Sequence, residues 1–256
     1  MGNNVRGLFF ENLRRISLDL NGQTSNIYQP RRAPKKFDTK KRYLQLAFNS
    51  STAQAINFIS QLEYNERIII EVGTPLIKKE GVSAIRTIRN YWPGFIVADI
   101  KIADGAEQEV EYVYREGADA VTVLGCTNKE TIDYCISVCK KYNLISMVDM
   151  IGVSEPHRVL LSLKKQPDVI ILHKARDQEH IKGFKIPYKQ VNKIRSKYGA
   201  LISAAGGVDL KEARSAIFNG ANIVVVNVID SGFSWVGINS DSEVLKTTKE
   251  FLKTIE

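Results

Sequence analysis

Apolar and polar positions alternate on two scales along this chain. From Tyr43 onward, short runs rich in Ile, Val and Leu recur at Tyr43–Phe48, Arg67–Glu71, Phe95–Lys101, Ala120–Leu124, Leu144–Asp149, Asp168–His173, Ala200–Ala204 and Asn222–Val226. Each is apolar at nearly every position, as a strand must be when both of its faces are covered. Between them, longer amphipathic stretches predict helices over Ser51–Glu63, Gly81–Tyr91, Ala106–Gly117, Lys129–Tyr142, Leu210–Asn219 and Ser242–Leu252. Strands that alternate with helices pair in parallel, because the helix carries the chain back to the start of the next strand. Eight such units without a long insertion predict an α/β fold, a closed (β/α)8 TIM barrel over residues 43–256. The alternative, an open doubly wound sheet, would carry a Gly-x-Gly-x-x-Gly turn after an early strand, and the sequence has none.

Residues 1–42 stand apart as an N-terminal extension. They hold ten basic residues against three acidic, whereas the rest of the chain holds 26 against 25, so nearly all of the formal net charge of +8 lies in the extension. Most of it falls in Pro30–Arg42, where Arg31, Arg32, Lys35, Lys36, Lys40, Lys41 and Arg42 face only Asp38. Such a segment offers little apolar area to offset the entropy of ordering it, and it reads as a basic arm. A solvated connection is the simpler reading, and binding of nucleic acid or an acidic partner the sharper one; for the protein as a whole nucleic acid is not the expected partner. Before the arm, Val5, Leu8, Phe9, Leu13, Ile16 and Leu20 recur at helical spacing and predict a short amphipathic helix, packed on the main domain or on a second subunit.

The overall composition, 44% hydrophobic and 25% charged, is that of a globular protein. Cys126, Cys135 and Cys139 are too few for a disulfide framework and lack the neighbours of a zinc site, so they are expected to be reduced, buried small residues. No apolar run is long enough to span a membrane and the first twenty residues lack a secretory signal, which leads to an expected cytoplasmic location.

A barrel of this kind places its reactive groups where the strands end. Asn49, Glu71, Asp99 with Lys101, Asp149, His173 and the Gly206-Gly207 pair all fall there. Period-two alternation puts Asp99 and Lys101 on one face of their strand. A lysine flanked by carboxylates stays protonated and can stabilise a developing oxyanion or enolate. Asp104 lies beyond the strand, able to serve this site or that of a neighbouring subunit. Glu71 and Asp99 offer two hard oxygen ligands of the kind that suits Mg²⁺; a salt-bridge network across the barrel top would use the same residues. Gly206 and Gly207 open the backbone to a phosphate at a helix start, or simply form a tight turn. His173 is a proton carrier or a structural histidine, and Arg176 a clamp for phosphate.

Five segments taken together, Glu71-Val-Gly-Thr-Pro-Leu-Ile-Lys-Lys-Glu-Gly81, Asp99-x-Lys101-x-x-Asp104, Val121-Thr-Val-Leu-Gly125, Val148-Asp-Met-Ile-Gly152 and Ala205-Gly-Gly-Val208, resemble 3-hexulose-6-phosphate synthases. These belong to the sugar-phosphate branch of the orotidine 5′-monophosphate decarboxylase superfamily, and the likeness runs in order from residue 43 to about 230. Glu71 stands where nucleotide decarboxylases have a lysine. The resemblance implies an aldol-type lyase that joins formaldehyde to ribulose 5-phosphate, forming arabino-hex-3-ulose 6-phosphate through an enediolate. It further implies Mg²⁺ held by Glu71 and Asp99, catalytic roles for Asp99, Lys101, Asp104 and His173, and a homodimer in which Asp104 reaches the partner's site.

Two departures qualify it. The family ends its first strand with Asp where this chain has Asn49, and its eighth with a Gly-Gly or Gly-Arg phosphate loop where this chain reads Val226-Asn227-Val228-Ile229. Asn49, Arg176, Gly206, Gly207, Asn227 and Val228 are therefore the expected substrate contacts, with phosphate binding weakened or reorganised. The alternatives are an enzyme like 3-keto-L-gulonate-6-phosphate decarboxylase, or a catalytically weakened barrel that binds a sugar phosphate.

Overall fold

The computed structural model describes residues 36–178, 185–232, 235–241 and 243–256. The expected N-terminal helix and the first part of the basic arm, up to residue 35, lie outside the described residues. Eight parallel strands close on themselves: β1 (Tyr43–Phe48), β2 (Ile68–Val72), β3 (Phe95–Ile102), β4 (Ala120–Leu124), β5 (Ile145–Asp149), β6 (Val169–His173), β7 (Leu201–Ala205) and β8 (Ile223–Ile229), with β1 paired to both β2 and β8. Closure rejects the open doubly wound alternative. A two-residue strand, β9 (Ile238–Asn239), adds to the outside of the end of β8.

The predicted strands agree to within a residue at each end, except that the last runs on from Val226 to Ile229. Their helices are α1 (Thr52–Ser60), α2 (Thr74–Glu80), α3 (Ser83–Arg89), α4 (Ala106–Arg115), α5 (Lys129–Tyr142), α6 (Pro156–Ser162), α7 (Val191–Arg195), α8 (Leu210–Phe218) and α9 (Val244–Thr254). Two starts are fixed by side-chain caps: Ser51 accepts from the Gln54 N–H at 3.1 Å, and Asp209 from the Glu212 N–H at 2.7 Å. The helix expected over Gly81–Tyr91 begins later, at Ser83. A separate turn of helix, α2, precedes it, because Pro75 pre-sets the backbone in its first turn and Gly81, at φ 80°, stops it.

Alternation along each strand sorts the side chains into two cores. Leu44, Leu46 and Phe48 of β1 point outward with Ile68, Ile70 and Val72 of β2, into the layer covered by helices. Ala47, Ile69, Val97, Met147, Ile171 and Val225 fill the barrel interior. The N-terminal end of the barrel is closed by aromatic rings: Phe37 packs on Tyr43 and Phe95 at centroid distances of 5.0 and 4.4 Å. Nearby, the buried Arg89 guanidinium reaches the carbonyls of Trp92, Gly94 and Gly117 and pairs with Asp119, whose carboxylate also accepts from the Ile96 N–H at 2.9 Å. One side chain thus satisfies three loop carbonyls and a buried carboxylate.

Cys135 and Cys139 are buried one turn apart on α5, but Cys126 is exposed. It differs from the expectation of three buried cysteines because it falls in the turn that follows β4 rather than in either core. No helix among the described residues is long and apolar enough to cross a membrane.

The Arg89 network lies at the end of the barrel opposite the strand C-termini. Arg89→Ala is expected to lower stability by about 3–5 kcal/mol, because it removes three loop-carbonyl hydrogen bonds together with the buried ion pair to Asp119. Urea unfolding of the variant against the wild type checks this, and a loss below about 1 kcal/mol would show that the carboxylate finds another partner.

Candidate active site

Inward positions near the strand C-termini converge on a cavity of about 290 Å³. Gln45, Glu71, Asp99, Lys101, Asp149 and His173 contribute its polar wall, and Asn49, Arg176, Gly206 and Asn227 lie around the same space. Asn49, Glu71, Asp99, Lys101, His173, Arg176, Gly206 and Asn227 are thus brought together as the sequence suggested. Three expected residues are placed elsewhere. Val228 is buried and turned outward to the helix-covered core, because alternation gives the inward position to Asn227. Gly207 lies one residue past the lining Gly206. Asp104 is exposed, and its carboxylate accepts from the next backbone N–H, that of Gly105, at 2.8 Å.

Asp99 and Lys101 are not held by simple alternation. The β3–β4 register breaks between Ala98 and Ile102, and Lys101 sits at φ 51°, a left-handed conformation for a residue with a side chain. Such a backbone costs on the order of 1–3 kcal/mol and persists only where surrounding contacts fix it. Here the Thr122 hydroxyl accepts from the Lys101 N–H at 2.9 Å and donates to Asp99 Oδ1 at 2.9 Å. Thr74 Oγ1 meets the other Asp99 oxygen at 2.9 Å. The bulge is therefore pinned from β4 and from the start of α2, and the Lys101 side chain is delivered to the cavity.

The Lys101 ammonium lies 2.5 Å from Asp99 Oδ2 and 3.3 Å from Asp149 Oδ2. Burial works against its charge, but Asp99, Asp149 and Glu71 outweigh that and hold its pKa above the ordinary lysine value. Asp149 is itself buried; the charge and hydrogen bond of His173, with Lys101 and the Ile151 N–H, overcome the desolvation and keep its carboxyl below the usual range. His173 Nδ1 bonds to both Asp149 oxygens, at 3.0 and 2.9 Å. Burial lowers the His173 pKa, yet Asp149 overrides it and holds the imidazole above its ordinary value.

Glu71 behaves differently. Burial and the adjacent Asp99 charge push its carboxyl up to about 7, against the pull of Lys101, the Gln45 amide and His173. No group of three or more His, Cys, Asp or Glu forms a metal cage among the described residues. Two buried carboxylates on adjacent strands nonetheless fit Mg²⁺, which takes one or two protein carboxylates and completes its shell with water and substrate.

Gln45, Thr74 and Thr122 were not singled out from the sequence as site residues. Gln45 donates to Glu71 from a fully buried position, and among the described residues its amide oxygen has no hydrogen-bond partner. Its signal was available: a lone amide at an inward position of an otherwise apolar strand, two residues before Ala47 and four before Asn49. The threonines gave none, since their role depends on the bulge.

A raised His173 pKa means that the His173–Asp149 pair favours the folded state below a pH of about 6.5, the unperturbed histidine value, and loses that contribution as pH rises through the folded value. The stability advantage of the wild type over His173→Asn is thus expected to be largest near about pH 6 and to shrink toward about pH 9. Thermal unfolding across that range measures it. A difference independent of pH would show that the imidazole is held neutral.

Comparison with known proteins agrees with the geometry. The profile of the orotidine 5′-phosphate decarboxylase / HUMPS family matches residues 42–227. The bifunctional enzyme Fae/Hps of Methanocaldococcus jannaschii is 40% identical over 176 residues, 68% of this chain and 44% of the relative. Its counterpart from Methanosphaera stadtmanae is 36% identical over 219 residues, 82% of this chain and 52% of the relative. The chain thus spans about half the length of the curated relatives it matches. The crystal structure of 3-hexulose-6-phosphate synthase from Salmonella typhimurium superposes with a TM-score of 0.72 at 28% identity, covering 83% of this chain and 98% of that one. With the closed barrel, the Asp99-x-Lys101 bulge and the carboxylate-lined cavity, these likenesses establish that the chain belongs to the orotidine 5′-phosphate decarboxylase / HUMPS family.

Proposed function

We propose that this barrel is a 3-hexulose-6-phosphate synthase, an aldehyde-lyase that interconverts ribulose 5-phosphate plus formaldehyde with arabino-hex-3-ulose 6-phosphate in the cytoplasm. The observation that carries the reading is the Lys101 ammonium, fixed between Asp99 and Asp149 and facing Glu71 in one small cavity. At about 290 Å³ the space is at the lower end for small-molecule sites, which suits a pentose or hexose phosphate better than a nucleotide.

In the synthetic direction a proton leaves C1 of ribulose 5-phosphate and its electron pair passes to the C2 oxygen, giving an enediolate. C1 then bonds to the formaldehyde carbon, whose oxygen takes up a proton. Lys101 supplies a fixed positive charge and hydrogen-bond donors to the enediolate oxygens, oriented before the reaction starts. His173, with Nδ1 held by Asp149, presents Nε2 for proton transfer at C1. Mg²⁺ held by Glu71 and Asp99 would add a second positive charge against the negative charge that develops on the substrate. Asn49, pressed against Gly73 and donating to Asn227 at 3.3 Å, hydrogen-bonds sugar hydroxyls without adding a carboxylate.

The proposed homodimer rests on the exposure of Asp104, just ahead of α4, together with the exposed Tyr112 ring on that helix. A second copy covering this surface would bring Asp104 to a neighbouring site.

Formaldehyde-dependent consumption of ribulose 5-phosphate, assayed with Mg²⁺, tests the reaction. Lys101→Ala is expected to lower kcat by about 10²–10³. Wild-type turnover of 3-keto-L-gulonate 6-phosphate in its place, or sugar-phosphate binding without turnover, would replace the proposed function. For the dimer, mixing inactive Lys101→Ala and Asp104→Asn chains is expected to restore about a quarter of wild-type activity, since half of the randomly paired dimers regain one complete site. Mixtures that stay inactive would refute a shared Asp104.

A further inference from the structure

Lys101 and Arg176, both on the cavity wall, are held in opposite ways. Lys101 is paired with carboxylates. Arg176, on the 3₁₀ turn Arg176–Gln178 after β6, meets no carboxylate within ion-pair distance among the described residues. Its guanidinium instead lies over the Trp235 ring, 4.1 Å from the centroid. A contact between the guanidinium carbon and a ring uses none of the N–H donors, which stay available to another group. A salt bridge would consume them.

Trp235 comes from the segment after β8. That segment is strapped to the strand end. Ile238 and Asn239 pair with Val228 and Ile229. The Gly237 backbone lies so close to β8 that a Cβ there would sit 2.3 Å from the Asn227 carbonyl oxygen. Asp230 takes hydrogen bonds from Ser50, Gln54 and Ser240. The chain is therefore fixed on both sides of the stretch that carries Trp235.

The charge of the cavity gives this placement a purpose. Glu71, Asp99, Asp149 and Asp177 line it, so an anionic group is repelled from most of the space. Arg176, Gly206 and Asn227 come from the adjoining ends of β6, β7 and β8, where the Arg176 charge stands against the Asp177 carboxylate of the same turn. Gly206, at φ 102°, packs so tightly on Lys174 that a Cβ would lie 2.0 Å from its carbonyl oxygen; only glycine fits this turn after β7.

We infer that Trp235 is a positioning residue: it holds Arg176 face-on, so that the guanidinium edge receives the phosphate of the ligand at the Gly206–Asn227 end of the cavity. The identity of the ligand rests on the function proposed above; the anion site does not. In this chain the segment after β8 then contributes to phosphate binding through an aromatic ring that orients an arginine from another loop.

The test uses the full chain with inorganic phosphate and ribulose 5-phosphate as probes, binding read by calorimetry and turnover by formaldehyde consumption. Trp235→Ala is expected to weaken both ligands about tenfold, raising KM with little change in kcat, while Trp235→Phe retains most of the affinity. In an Arg176→Ala background, Trp235→Ala is expected to add nothing, because the ring acts only through the guanidinium. Affinity unchanged in Trp235→Ala, or losses that add in the double variant, would overturn the inference; a ring that merely supported the loop would give the additive result. Coupled phosphate binding without any sugar-phosphate turnover would uphold the anion site and reject the synthase reading. Turnover whose KM ignores Trp235 would do the reverse.

Discussion

A lysine surrounded by buried carboxylates, on a backbone that a side chain disfavours, is the constraint around which the mouth of this barrel is organised. Lys101 is left-handed because β3 carries extra residues opposite β4, and the Thr122 hydroxyl takes the backbone N–H that the broken ladder leaves over. The same hydroxyl secures Asp99. Removing the charge of Lys101 would leave Asp99, Asp149 and Glu71 facing one another with little compensation, so the ammonium is a structural counter-ion as well as the proposed electrostatic catalyst. Charge balance also explains the graded protonation of the carboxyls. Asp149, with two cationic partners, stays ionised, while Glu71, beside another carboxylate, is poised near neutrality.

The two ends of the barrel divide the work. At the N-terminal end, Arg89 closes loop carbonyls and pairs with Asp119, and Phe37 stoppers the interior with Tyr43 and Phe95. At the C-terminal end, polar groups are left partly unsatisfied. Among the described residues, the Gln45 amide oxygen is buried without a partner and Arg176 meets no carboxylate within ion-pair distance. Groups of this kind are costly in a folded chain and mark the places where a ligand completes the structure.

The departures from the family pattern sit next to one another in space. Asn49 and Asn227 are joined through their amides, and Asn227 is the point against which the strap of Gly237 and β9 is seated. The Asn49 amide donates to the Asn227 side-chain oxygen, and a carboxylate at position 49 would make that contact only with the Asn227 amide turned over. The two sequence changes are in this sense one structural change, which removes a charge at the end of β1 and brings an aromatic residue to the mouth beside β8.

The sequence by itself determined the barrel, its eight strands and the end that carries the chemistry. Apolar runs covered on both faces, separated by amphipathic helices, admit few topologies, and polar residues ending those runs must lie together once the sheet closes. It also placed Glu71, Asp99, Lys101, His173 and Arg176, because strand ends are local features. Tertiary structure decided the rest. Alternation alone could not show that Asp99 and Lys101 meet through a bulge, since the bulge depends on the partner strand and on Thr122. It could not tell that Val228 faces away while Asn227 faces in, a choice fixed by the register of β8 on β1. Nor could it pair Arg176 with Trp235, about sixty positions apart on different loops, because only closure of the barrel brings the ends of β6 and β8 around one cavity.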